Sequence, residues 1–158
     1  MNKRTAQQRL KEKKISEIVN TKCVQGEVGI SIGEALNLMR TFKSGYVILV
    51  DQGKVSGIFT ETDFLRKVLS AGANRSDPVK ALMTPDPQVL SPKSSIGAAI
   101  DLMGKHRIYH VPLVDENEQL CGILSVRTLI RFLAEFYPKE VYNLPPKSDQ
   151  VMETPEGG

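Results

Sequence analysis

Two short stretches combine side chains that can handle an anion. Thr60-Glu61-Thr62-Asp63 places a hydroxyl and, three residues on, a carboxylate. Sixty-five positions later, Ser125-Val126-Arg127-Thr128 repeats the hydroxyl, with a second hydroxyl in the carboxylate's place. Each follows a glycine and two apolar residues, Gly57-Ile58-Phe59 and Gly122-Ile123-Leu124, and each leads into a helical pattern. A strand-to-helix junction leaves backbone N–H groups unpaired, and the helix dipole favours an anion there. A hydroxyl can donate to a phosphate and a carboxylate can accept from a diol. The same residues also cap a helix that holds no ligand, with Thr60 as N-cap and Asp63 at the third helical position. Spacing alone leaves both readings open.

The elements that must position these junctions come in two sets. Ser31-Ile32-Gly33-Glu34 has the form of a capping box, after which Ile32, Leu36 and Met39 recur at helical spacing, as do Ile96, Ile100 and Met103. Tyr46-Val47-Ile48-Leu49-Val50-Asp51 and His110-Val111-Pro112-Leu113-Val114-Asp115 are apolar on both faces, the pattern of covered strands. Pro112 is expected near the start of its strand or at an edge, where no ladder donor is required. Gln52-Gly53 and Glu116-Asn117-Glu118 read as hairpin turns. Short extended segments are expected at 23–25 and 88–90, and closing helices at 62–70 and 126–136. One amphipathic turn precedes each set, at 15–19 and at 79–83.

Between residues 33–51 and 97–115 the shift is a constant 64, and eight of the nineteen pairs are identical. Gene duplication accounts for this agreement. A unit of about sixty residues buries little surface alone, so two copies are expected to share a core. Pseudo-twofold symmetry then leaves two equivalent clefts, one at each junction.

With these motifs in order and repeated, both halves resemble cystathionine-β-synthase (CBS) domains, and together a CBS pair. The likeness runs over about residues 15–137 and is carried by residues 46–51 with 57–63, and by residues 110–115 with 122–125. It implies an α/β (α+β) fold of two β-α-β-β-α repeats packed sheet to sheet with pseudo-twofold symmetry. Repeat one would occupy 15–71, a linker 72–78 and repeat two 79–137. Residues 1–14 read as a polar arm, a solvated helix or a partner-binding segment. Residues 138–158 read as a polar, partly disordered tail similar to those of stand-alone bacterial CBS pairs.

The resemblance also implies a ligand. In such pairs the matching threonine contacts the phosphate of an adenine nucleotide and the matching aspartate its ribose, which here means Thr60 and Asp63. Ser125 keeps the hydroxyl of the second junction, but Thr128 stands where an acid is expected. The clefts should therefore be unequal, with the Asp63 cleft the better ribose site. Within Lys105-His106-Arg107-Ile108-Tyr109-His110, Arg107 and His110 are candidates to reach phosphate, with Arg127 a further one beside the second junction. Positive charge is also favourable at a solvated helix end without any ligand. Tyr46 is placed either to wall an adenine or to join the core.

The implied function is a regulatory, ligand-sensing module that binds AMP, ADP or ATP and changes its conformation or its partner contacts, with no cofactor required. The alternative is a ligand-independent dimerisation module with vestigial clefts. A homodimer through Leu65, Leu69, Ile130 and Leu133, and an unidentified regulated protein, are the implied partners.

Composition narrows the field. The 158 residues carry a net charge of only +3, too mild to argue for nucleic acid. The polar, basic first ten residues do not read as a secretory signal, and no apolar run is long enough for a bilayer. Cys23 and Cys121 make no disulfide framework, and His106 and His110 lack metal-site spacing, so a reducing cytoplasm is the simplest compartment. No P-loop, nucleophile elbow or Cys–His arrangement is spelled out, and no enzymatic activity is expected.

Overall fold

In the computed structural model, which describes residues 3–19 and 21–136, the strand β2 (Tyr46–Asp51) decides the architecture. Strand side chains alternate between faces. Val47 and Leu49 point one way, Ile48 and Val50 the other, and all four are buried. The strand therefore has to be covered on both sides.

Its sheet runs β1-β2-β3-β4: β1 (Gln25–Glu27) is parallel to β2, and β3 (Lys54–Thr60) and β4 (Thr84–Pro85) add antiparallel. The second repeat contributes β5 (His110–Val114) paired antiparallel with β6 (Leu120–Ser125). On one face of the first sheet, Val47, Leu49 and Phe59 pack with Ile32, Ala35 and Met39 of α2 (Ile32–Thr41). In the second repeat, Val111, Leu113 and Leu124 pack with Ile96, Ala99 and Met103 of α5 (Ile96–His106) and Leu129 of α6 (Val126–Phe136). The remaining faces meet: Ile48, Val50 and Ile58 lie against Ile123, with Cys23, Tyr46, Val55 and Leu120 around them. The repeats thus pack sheet to sheet, and each such buried aliphatic contributes about 1.5–3 kcal/mol.

Pro112 sits in the middle of β5 rather than at its start, and β5 is an edge strand of its two-stranded sheet, the other placement expected. Its side of the strand faces the segment at Leu90, not β6: the Leu90 N–H donates to the Pro112 carbonyl at 3.1 Å, and the Val114 N–H to the Leu90 carbonyl at 2.9 Å. In repeat one the same edge has two more rungs, from the Ile48 N–H to the Val24 carbonyl and from the Val28 N–H to the Val50 carbonyl, both at 2.9 Å. Prolines, Pro112 and Pro92, stand at the positions equivalent to Ile48 and Val28 and have no N–H to give. The extended segment expected at 88–90 consequently shrinks to the single bridge between Leu90 and Leu113, whereas its counterpart forms β1, centred two residues beyond the expected 23–25.

The turns that lead each repeat are exchanged. Ile15, in the turn Ile15–Glu17, precedes repeat one in sequence but is fully buried in the core of repeat two. Val79, in the turn Val79–Ala81, precedes repeat two but is fully buried in the core of repeat one. Pseudo-equivalent bonds fix both crossings: the Ile96 N–H donates to the Lys13 carbonyl at 2.7 Å and the Ile32 N–H to the Asp77 carbonyl at 2.9 Å. Ahead of Ile15, α1 (Lys3–Glu12) packs on α5. Leu10 is buried there, and the Lys13 ammonium lies 5.8 Å from the Phe132 ring centre of α6, within cation–π range. The segment read as an arm is thus a docked helix over its described part, and the tail at 138–158 lies outside the described residues.

After β3 the chain is helical through 61–71, α-helical in α3 (Glu61–Asp63), widened to a π turn at Phe64–Val68 and α-helical again in α4 (Leu69–Ala71). It ends at Gly72, whose φ of 65° is the left-handed conformation that favours glycine at a helix end. Gly57, which opens the junction motif, is dictated by packing, because a Cβ there would run into the Met83 side chain.

Candidate functional site

Both junctions form as capped helix starts, but their side chains are engaged differently. At the first, the Thr60 hydroxyl accepts from the Asp63 N–H at 3.3 Å and the Asp63 carboxylate accepts from the Thr60 N–H at 3.0 Å, a reciprocal capping box. Asp63 is buried, and its other carboxylate oxygen accepts from Lys67 Nζ at 3.0 Å and Thr84 Oγ1 at 3.4 Å. At the second, the Thr128 N–H donates to the Ser125 hydroxyl at 3.2 Å, and the two hydroxyls share a hydrogen bond at 3.0 Å. In the same fold position the first N–H of each helix is donated to the residue just ahead of the neighbouring strand, Glu61 to the Gly45 carbonyl before β2 and Val126 to the Tyr109 carbonyl before β5.

A cleft of about 1330 Å³ opens beside the second junction. Residues 21–25, on the way into β1, line it together with Ser125, Val126 and Arg127. The C-terminal end of α2 supplies Arg40, Phe42 and Lys43, and the starts of β2 and β5 supply Tyr46 and His110. Those two rings occupy pseudo-equivalent positions and lie 5.1 Å apart, tilted by 44°, close enough for an aromatic pair. The cleft therefore straddles the boundary between repeats, so filling it must touch both.

Its lining is electrostatically lopsided. Lys22, Arg40, Lys43 and Arg127 bring positive charge, and Glu61 is the one acid among the lining residues. The Glu61 carboxylate lies over Gly45, where a Cβ would come within 3.2 Å of it. Burial pushes the His110 imidazole below its ordinary pKa, and Glu61 partly offsets this. Burial likewise raises Tyr46, whose phenol oxygen accepts from the Val24 N–H at 3.3 Å, a bond that partly counters the rise. Cys23 and Cys121 line the cleft with thiols pushed up by burial, so at neutral pH they are uncharged and nearly apolar walls. The floor is thus aromatic and weakly polar, and the rim is cationic.

Of the residues named from sequence, Tyr46, His110, Ser125 and Arg127 come together in this cleft. Thr60, Asp63, Thr128 and Arg107 are not among its lining residues. Asp63 is held by its own neighbours, and Arg107 is an exposed C-cap of α5 with φ 53°. The counterpart of Arg107 at the 64-residue shift is Lys43, with φ 49°, and Lys43 does line the cleft. Sequence reasoning missed Lys43, Arg40, Phe42, Lys22 and Glu61. The shift itself was the signal for Lys43, whereas cations at the end of α2 looked like ordinary helix-terminus charge. Among the described residues no cluster of His, Cys, Asp and Glu could hold a metal ion, and no helix is long and apolar enough to cross a membrane.

A family model of the CBS domain matches residues 15–70 and again residues 79–135. The chain belongs to the CBS domain family. A 17.7 kDa protein of Acidianus ambivalens is 32% identical over 127 residues, which covers 78% of this chain and 75% of its own. A solved structure of a conserved protein from Pyrococcus horikoshii superposes with a TM-score of 0.71 at 27% identity, covering 78% of this chain and 93% of that one. A CBS domain protein from Pyrobaculum aerophilum, solved in complex with AMP, superposes with a TM-score of 0.71 at 23% identity over 80% of this chain and 99% of its own. The fold of the CBS pair is therefore shared with these proteins.

Proposed function

We propose that this CBS pair is a regulatory module that senses an adenine nucleotide bound in the cleft between Tyr46 and Ser125. The single observation that carries this reading is the cleft's cationic rim, four basic side chains against one acid, above an aromatic floor. A phosphate would meet Arg127 and Lys43, with the Ser125 hydroxyl as a further donor, and an adenine would lie toward Tyr46 and the uncharged thiols. The P. aerophilum protein, which shares the fold, was solved with AMP, but the reading for this chain rests on its own side chains. The rim favours the anionic AMP, ADP and ATP over S-adenosylmethionine, whose sulfonium carries positive charge. Because the cleft draws on both repeats, occupancy biases their relative arrangement, and a ligand shifts such an equilibrium only through its different affinity for the two states. The downstream contact would be a second copy of the chain or another protein.

Isothermal titration calorimetry with AMP, ATP and S-adenosylmethionine tests this directly. Saturable binding of AMP or ATP, with S-adenosylmethionine weaker, is the expected result. If neither nucleotide binds, the second reading gains, a ligand-independent dimerisation module. Its supporting observation is the exposure of Leu65, Leu69 and Ile130 on the helices that follow the two junctions. Leu133, proposed with them from sequence, is half-buried.

A further inference from the structure

The two junctions are equivalent in fold, yet the acid that should make the first the better ribose site is already occupied. Asp63 accepts four hydrogen bonds from within the chain. One carboxylate oxygen takes the Thr60 N–H at 3.0 Å and the Thr60 hydroxyl at 3.1 Å. The other takes Lys67 Nζ at 3.0 Å and the Thr84 hydroxyl at 3.4 Å. A carboxylate offers about four acceptor sites, so nothing is left over for a ligand diol. Lys67 is itself anchored, donating to the Leu82 carbonyl at 3.1 Å. The ammonium thus bridges the helix after β3 to the turn ahead of β4 and holds the first junction shut.

The second junction has no such plug. At the 65-residue shift that relates the junctions, Lys67 corresponds to Phe132, which carries no charge and lies beneath the Lys13 ammonium of the docked N-terminal segment. Ser125 and Thr128 are bonded to each other, and among the described residues neither side chain has a cation as hydrogen-bond partner. Ser125, Val126 and Arg127 of this junction line the cleft, to which the first junction contributes Glu61 but neither Thr60 nor Asp63.

We propose that Lys67 is a built-in occupant of the first junction: it takes the position at Asp63 that a nucleotide's hydroxyls would otherwise fill, and it limits the chain to one nucleotide, bound beside Ser125. The proposal rests on the nucleotide-binding reading above and adds to it a stoichiometry and the residue that sets it. Removing the ammonium leaves one carboxylate acceptor direction open at a junction that the pseudo-twofold symmetry makes equivalent to the second.

The test is the number of AMP molecules bound per full-length chain, read by calorimetry and equilibrium dialysis. Wild type should bind one. Lys67→Met should bind two, the second more weakly, and adding Asp63→Asn to that variant should return the count to one. Two equivalents in wild type overturn the proposal, and this needs no variant, so it decides the matter even if Lys67→Met fails to fold. A folded Lys67→Met chain that still binds one also overturns it. If wild type binds none and Lys67→Met binds one, the role of Lys67 stands and the Ser125 cleft reading falls. If neither chain binds, both fall.

Discussion

Exchange of the leading turns makes a prediction that sequence order alone would invert. Ile15 is 0% exposed and sits among Ile96, Ala99, Met103, Val111, Leu113, Leu124 and Leu129, all of repeat two. Ile15→Ala removes a fully buried branched side chain whose site cannot collapse freely, because the turn is pinned by the Ile15 N–H to the Ser94 carbonyl at 2.9 Å. The expected loss is about 2–5 kcal/mol. For a chain of this size that is a fall in melting temperature of roughly 6–15 °C. Val79→Ala removes less, at about 0.8 kcal/mol per buried carbon plus a cavity term, or roughly 1.5–3 kcal/mol. Hydrogen exchange read by mass spectrometry separates the two, since sub-global opening follows local packing. Ile15→Ala should speed exchange first in β5 and β6, and Val79→Ala first in β2 and β3. If Ile15→Ala instead loosens β2 and β3 first, the exchanged arrangement of the turns is refuted.

Two further outcomes follow from the cleft. Arg127→Gln removes one charge-assisted contact to phosphate at an exposed rim, so AMP affinity should fall by about 1–2 kcal/mol, roughly 5–30-fold, while binding of uncharged adenosine stays nearly constant; equal losses for both would show that Arg127 does not face the phosphate. His110 has its folded pKa depressed by burial below the ordinary 6.5. In the window between the folded value and 6.5 the unfolded chain binds more protons, so stability rises with pH there and is lost on acidification through it. Urea midpoints measured from about pH 5 to pH 7.5 should fall toward acid in wild type and flatten in His110→Gln, and an unchanged slope would exclude the imidazole as the source.

Much of the architecture was legible because duplication writes it twice. Val47, Leu49 and Val50 recur as Val111, Leu113 and Val114, and the strand covered on both sides that this pattern implied is what β2 forms. What sequence order hides is which core a segment enters. Ile15 and Val79 look like the first turns of their own repeats, and only the short tethers at Lys13 and Asp77 carry each across. The missing rung at Pro112 was readable as a missing donor but not as a shortened strand, because the partner segment is not adjacent in sequence. The same holds for the cleft. Ser125, Arg127, Tyr46 and His110 were found from the junction motif and its neighbourhood, whereas Lys22, Arg40 and Phe42 join them only because the fold places the segment before β1 and the end of α2 on the same cleft as the other repeat's junction. The Asp63–Lys67 pair has the four-residue spacing of an ordinary helix ion pair, so its effect on Asp63 shows only once Thr84 and Leu82 close around it.

The central claim is that an anionic adenosine ligand occupies the cleft between the repeats. A crystal structure of the full chain grown with AMP tests it most directly. Ligand density should lie between residues 21–25 and Ser125, with the phosphate within hydrogen-bond reach of Arg127 or Lys43 and the Asp63–Lys67 pair intact. AMP found instead against Thr60 and Asp63 with Lys67 displaced, or a cleft that stays empty at saturating AMP, would contradict the account.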